Sequence, residues 1–192
     1  MTQEYSTPQK IEWAESANLT DILEKQNREH PNRELYRIKR DTVWEPVTAK
    51  KFHERVTQLA KGLIAWGVEP GDRIGIMSRT RFEWTLIDFA IWYAGGVSVP
   101  IYETSSAHQV HHIVTDSGLR AVFVETEKLA VLVGEATSSI GGKLTTWVIE
   151  NDAIDSLNTL GEPVDDGALE NARTSRDSCN LATRCVHLRD RR

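Results

Sequence analysis

Apolar residues at Leu19, Ile22 and Leu23, followed by Pro31, predict a short amphipathic helix between Asn18 and His30. Leu35 to Lys39 and Val43 to Val47 flank the turn-prone pair Arg40-Asp41 and read as an antiparallel hairpin. Thr48 is placed to cap a helix whose Phe52, Val56, Leu59, Leu63 and Ile64 share one face, with Gly67 suited to a left-handed end. After the turn Glu69-Pro70-Gly71-Asp72 comes the apolar strand Arg73 to Met77. Thr80 and Glu83 then have capping-box spacing ahead of a helix running to about Ala94. Gly95-Gly96 leads into a strand at Val97 to Pro100, and Ser106 with Gln109 has the same capping spacing. Ala121 to Val124 and Thr145 to Ile149 complete four strands alternating with three helices. That alternation predicts an α/β fold with right-handed crossovers and a mostly parallel, doubly wound sheet beside the hairpin.

Beyond Glu150 neither period persists, so residues 1–150 read as the folded portion and 151–192 as loop and tail. At 192 residues there is room for one core, and 40% hydrophobic against 27% charged content fits a folded chain. The net charge of -5 is interspersed and forms no basic stripe, which argues against nucleic acid as a partner. The opening MTQEYSTPQK has no apolar signal core, and no apolar run approaches the roughly 18 residues of a membrane span. Cys179 and Cys185 both lie near the end, so no disulfide framework is expected through the main body. The expectation is a cytoplasmic chain without a transmembrane segment.

Candidate chemistry is sparse. Thr137 to Lys143 comes nearest to a phosphate loop, but it lacks the first glycine, has Leu144 where a hydroxyl is needed, and precedes a strand. It reads as a helix-to-strand connection. His108, His111 and His112 have helical spacing for a metal pair but no acidic or cysteine ligand beside them, so a solvated helix face is the simpler reading. Cys179, Cys185 and His187 lack a fourth ligand. Asp72, Glu83 and Asp88 are the acids nearest structured elements, and turn, cap and surface roles account for them without catalysis.

Two stretches carry more. Gly67-Val68-Glu69-Pro70-Gly71-Asp72-Arg73, with Arg79-Thr80-Arg81-Phe82-Glu83-Trp84 after the strand, resembles the GVxPGDRVAIxxxNRxEW signature of adenylate-forming acyl-CoA synthetases. Ala94-Gly95-Gly96-Val97 and Val99 to Ser106 resemble the AGAVxVPIYxTSS segment of the long-chain fatty-acid–CoA ligases, and Ile113 to Leu119 fits ILxDSGA. The resemblance covers roughly Trp13 to Ile149. It implies the N-terminal part of the adenylate-forming fold, incomplete here, and an intact relative that uses fatty acid, ATP, Mg and CoA. The family's phosphate loop, adenine and magnesium contacts, hinge and C-terminal lysine all come later. No catalytic, cofactor-binding or metal residue is therefore carried over.

Leu181-Ala182-Thr183 resembles the residues preceding the family's VVYTSGT loop, whereas Arg184-Cys185-Val186-His187-Leu188-Arg189-Asp190 does not. If residues 184–190 were encoded CGT TGT GTA CAC CTC CGG GAC followed by a C, one choice among the synonymous codons, loss of the first C would give Val-Val-Tyr-Thr-Ser-Gly-Thr. A shifted frame is one hypothesis for the tail, and a native disordered tail is the other. Three functional expectations stand together: an inactive fragment of a ligase, a free-standing α/β binding or interaction module, and a remnant that self-associates through an uncovered sheet edge.

Overall fold

The computed structural model describes residues 14, 16–140 and 144–186. Helix α1 (Thr20–Glu29) precedes the hairpin of β1 (Glu34–Arg40) and β2 (Val43–Thr48), whose turn places Asp41 at φ 51°. Helix α2 (Ala49–Trp66) starts where Thr48 Oγ1 accepts the Lys51 N–H at 3.3 Å and ends on Gly67 at φ 103°. Phe52, Val56, Leu59 and Leu63 are essentially inaccessible, and burying each side chain contributes roughly 1.5–3 kcal/mol.

The sheet follows as β3 (Arg73–Met77), α3 (Phe82–Tyr93), β4 (Val97–Ile101), α4 (Ala107–Ser117), β5 (Ala121–Val124), α5 (Glu127–Thr137) and β6 (Thr145–Val148). The four strands are all parallel in the order β4-β3-β5-β6. Both faces are apolar, as a covered parallel sheet requires. Ile74, Ile76, Ala121 and Phe123 meet α2 and α3. Met77, Val99, Ile101, Val122 and Val124 meet α4 and α5.

Two expectations are corrected. Thr80 and Glu83 form no capping box: the residue before α3 is Arg81, no side chain caps the helix, and Glu83 takes the Arg81 guanidinium at 2.7 Å instead. A full charge outcompetes a backbone N–H for that carboxylate. The stretch after Glu150 is also more than loop, since it contains α6 (Ala153–Gly161) and α7 (Asp166–Arg173). Their inward faces carry few large apolar residues, Ile154 and Leu157 on α6 and Leu169 on α7, among polar neighbours, which leaves the helical period sparse. The segment continues past β4, where Thr183 bridges Ser98 in parallel. Pro100 has no N–H on that outer edge, so a neighbouring strand finds one donor fewer there. Among the described residues no helix is long and apolar enough to cross a membrane.

Helices α2 and α6 cross at two glycines. A Cβ on Gly62 would lie 2.2 Å from the Leu157 carbonyl oxygen, and one on Gly161 would lie 2.4 Å from the Gly62 nitrogen. Gly62→Ala should destabilise the fold by about 3 kcal/mol in urea denaturation, because backbone must move. Gly134→Ala on α5 meets nothing within 4 Å and should instead stabilise by about 0.5–1 kcal/mol.

Candidate functional site at the carboxyl ends of the strands

In an open α/β sheet, ligands settle outside the carboxyl ends of the strands where the strand order reverses. Here β4 follows on one side of β3 and β5 lies on the other, so the reversal falls between β3 and β5. The chain's own charges fill that position. Glu125, buried at the end of β5, accepts the Arg79 N–H at 3.0 Å and the Ser78 hydroxyl at 3.3 Å, and it pairs with Arg79 Nε at 2.7 Å. Arg81 reaches Glu125 at 3.5 Å and Glu150 at 3.7 Å. Burial pulls the Glu83 carboxyl upward, but the Arg81 hydrogen bond, its own backbone N–H and the charges of Arg81 and Arg40 together hold it below the usual carboxylate range. The cluster ties the ends of three strands together and presents no free base.

Beside it, at the ends of β3 and β4, lies an open crevice of about 690 Å³. Ile101 and Ile113 give it apolar walls, while Thr80, Tyr102, Glu103 and Thr104 supply polar groups. That size suits a small molecule. Among the described residues lining it, no nucleophile is hydrogen-bonded to a base, and the Cys185 thiol stands at its rim.

The three acids singled out from the sequence are not brought together. Asp72 accepts the Glu69 N–H at 2.7 Å and pairs with Arg120 in the turn before β3, at the opposite end of the sheet. Glu83 belongs to the ionic cluster. Asp88 is not a surface residue as expected: it lies on α3, 7% exposed, and its Oδ1 meets no donor. Burial pushes its carboxyl up to about 6, against the lowering effect of the Ser98 hydroxyl. A lone acid in the apolar run Leu86-Ile87-Asp88-Phe89-Ala90-Ile91 was the available sequence signal.

His111 Nδ1 sits 2.8 Å from the Ala136 carbonyl, joining α4 to α5, while His108 and His112 are exposed. Among the described residues no three His, Cys, Asp or Glu side chains converge as a metal site. Cys179 and Cys185 are exposed free thiols, and His187 lies outside the described residues. Of the loop beginning at Thr137, residues 141–143 also lie outside them; Thr137 itself donates to Val133 O at 2.8 Å within α5. Sequence reasoning also missed a half-buried network in which Glu24 accepts from Tyr93 OH at 2.9 Å and meets His53 Nε2 at 2.9 Å, fastening α1 to α2 and α3.

Residues 23–183 match the profile of the AMP-binding enzyme family. The long-chain-fatty-acid–CoA ligase FadD15 of Mycobacterium bovis is 36% identical over 170 residues, which cover 87% of this chain and 28% of the relative. The chain thus spans little more than a quarter of that protein's length. Among solved structures, a long-chain-fatty-acid–CoA ligase (FadD1) from Archaeoglobus fulgidus superposes with a TM-score of 0.68 at 16% identity, covering 84% of this chain and 33% of that one. A fatty acyl-adenylate ligase from L. pneumophila gives 0.57 at 19% identity, covering 77% and 25%. At those identities the structures establish the fold alone.

Asp88 makes stability depend on pH. Its carboxyl rises from an ordinary 3.8 to about 6, so the neutral form is favoured by folding. No penalty exists below pH 3.8, and the penalty is complete once pH has risen through 6. Asp88→Asn should therefore match the parent at pH 3 and exceed it by up to about 3 kcal/mol at pH 8 in urea unfolding. Equal stability at pH 8 would refute the assignment.

Proposed function

The chain belongs to the AMP-binding enzyme family, and on that premise we propose that it is the N-terminal portion of a long-chain fatty-acid–CoA ligase. The observation that carries this reading is the 36% identity with FadD15 across 170 residues. The segment Val99 to Ser106, in which Ile101-Tyr102-Glu103-Thr104 follows the long-chain pattern, favours a fatty acid as the substrate of the intact enzyme.

In this reading the whole enzyme activates a fatty-acid carboxylate with ATP. The products are an acyl-adenylate and pyrophosphate, and the acyl group then passes to the thiol of CoA with release of AMP. A carboxylate resists nucleophilic attack because its own charge repels the incoming thiolate, whereas the adenylate carries a leaving group. Magnesium and phosphate-binding N–H groups would stabilise the charge on the transferring phosphates. The described residues do not fit that task. The described ones hold no converging metal ligands, and none of the described helices opens from a glycine-rich turn. No step of the reaction is assigned to it.

The part proposed for this stretch is structural: a covered parallel sheet whose carboxyl ends, locked by Glu125, support the neighbouring crevice. A cytoplasmic location accords with the exposed free thiols. The crevice also favours a second reading, a free-standing α/β module that binds a small ligand without turnover.

Purified chain given a long-chain fatty acid, ATP, magnesium and CoA should form no acyl-CoA above background by mass spectrometry. Formation of acyl-CoA would overturn the structural role, and saturable ligand binding without product would favour the second reading. The family match stops at residue 183, and we propose that the residues from Arg184 onward are read out of frame. Sequencing the gene from codon 175 onward should reveal a single-base shift that restores Val-Val-Tyr-Thr-Ser-Gly-Thr. Absence of such a frame would establish a native tail.

A further inference from the structure

The returning segment after α7 is held at one seam. Ser98, fully buried in β4, donates its N–H to Ala182 O at 3.0 Å and accepts the Arg184 N–H at 2.9 Å, and its hydroxyl lies 3.0 Å from Thr183 Oγ1. Trp92 Nε1 on α3 donates to Ala182 O at 2.9 Å. Asp88 precedes Trp92 by four residues, so both lie on one face of α3, and that face is turned toward the seam. The Ser98 side chain points to the same side, because its neighbours Val99 and Ile101 pack against α4 and α5 on the other. Asp88, Ser98 and Thr183 therefore form a polar line inside an otherwise apolar interface.

We propose that Asp88 is a proton-controlled latch for the segment Ala182–Arg184, shut when the carboxyl is protonated and loosened when it is ionised. An ionised Asp88 accepts from the Ser98 hydroxyl, but its second oxygen has no donor within the protein, so the charge is stranded away from water. Lifting the segment from β4 opens that face of α3 and lets water reach it. A protonated Asp88 carries no such charge and gains nothing from opening. No charged group interferes. Glu83 on α3 is held by Arg81, Glu24 of α1 and His53 of α2 hold one another, and Arg173 of α7 is held by Asp21 and Glu170. In the segment itself Arg176 reaches Leu181 O, and Arg184 pairs with Asp116 at 2.9 Å on the far side of the sheet. Burial and Ser98 alone act on the Asp88 carboxyl, and its rise to about 6 sets the range in which the latch works.

Amide hydrogen exchange on the full chain, corrected for the intrinsic effect of pH, tests this. Between pH 5 and pH 8 the protection of residues 182–186 should fall at least tenfold and up to about a hundredfold. It should also stay below that of β5 at both values, because the segment opens without global unfolding. Asp88→Asn should abolish the pH dependence. Trp92→Phe, which leaves Asp88 in place, should lower protection at both pH values while keeping their ratio. The latch is overturned if the parent shows equal protection at the two pH values, or if Asp88→Asn keeps the dependence. Loss of the ratio in Trp92→Phe, or a segment that exchanges only together with β5, would overturn it equally.

Discussion

A parallel sheet is stable only when both faces are covered, because every strand in it carries apolar side chains above and below. In this chain α2 and α3 cover one face and α4 and α5 the other, and the remaining elements are arranged around that requirement. The hairpin and α1 pack their apolar residues onto the α2–α3 side, where Tyr36, Phe52 and Phe82 meet ring to ring. Helix α6 crosses α2 so closely that two glycines are needed at the contact. Long-range polar contacts then fasten the layers: Glu24 with Tyr93 and His53, Arg173 with Thr20 and Asp21, and Glu125 with Ser78 and Arg79.

Polar groups inside such a sandwich are expensive, which makes their placement informative. Glu125 is buried with several partners and behaves as a fastener between strand ends. Asp88 is buried with only one, so its cost remains in the folded state. The first arrangement makes the carboxyl ends of the strands rigid. The second leaves the seam beside β4 sensitive to protonation.

Much of the fold was legible because its signals are local. Phe52, Val56, Leu59 and Leu63 repeat at helical spacing, Gly67 and Ser106 mark helix ends by backbone chemistry, and strands such as Ala121 to Val124 are short apolar runs between turn residues. Helices α6 and α7 were not legible, since they are short, pack only Ile154, Leu157 and Leu169 as large apolar residues, and meet a surface on α2 that belongs to a distant part of the chain. The Thr80–Glu83 spacing misled because Arg81 competes for the carboxylate, which spacing cannot reveal. The site was less legible still. Glu125 and Ser98 acquire their roles from partners 46 and 85 residues away, and Asp88 announced itself only as an acid in an apolar run.

We propose that residues 23–183, which match the AMP-binding enzyme family, form a supporting part of an adenylate-forming ligase and need the remainder of such an enzyme to act. The most direct measurement is a chimera in which these residues replace the aligned segment of FadD15, assayed for long-chain acyl-CoA formation after circular dichroism has established that it is folded. Ligase activity within about tenfold of the parent is the predicted result, since the exchanged residues shape and support the site without reacting. A folded chimera that binds ATP and fatty acid yet forms no acyl-CoA would contradict the claim, because it would place an indispensable reacting group within the exchanged stretch.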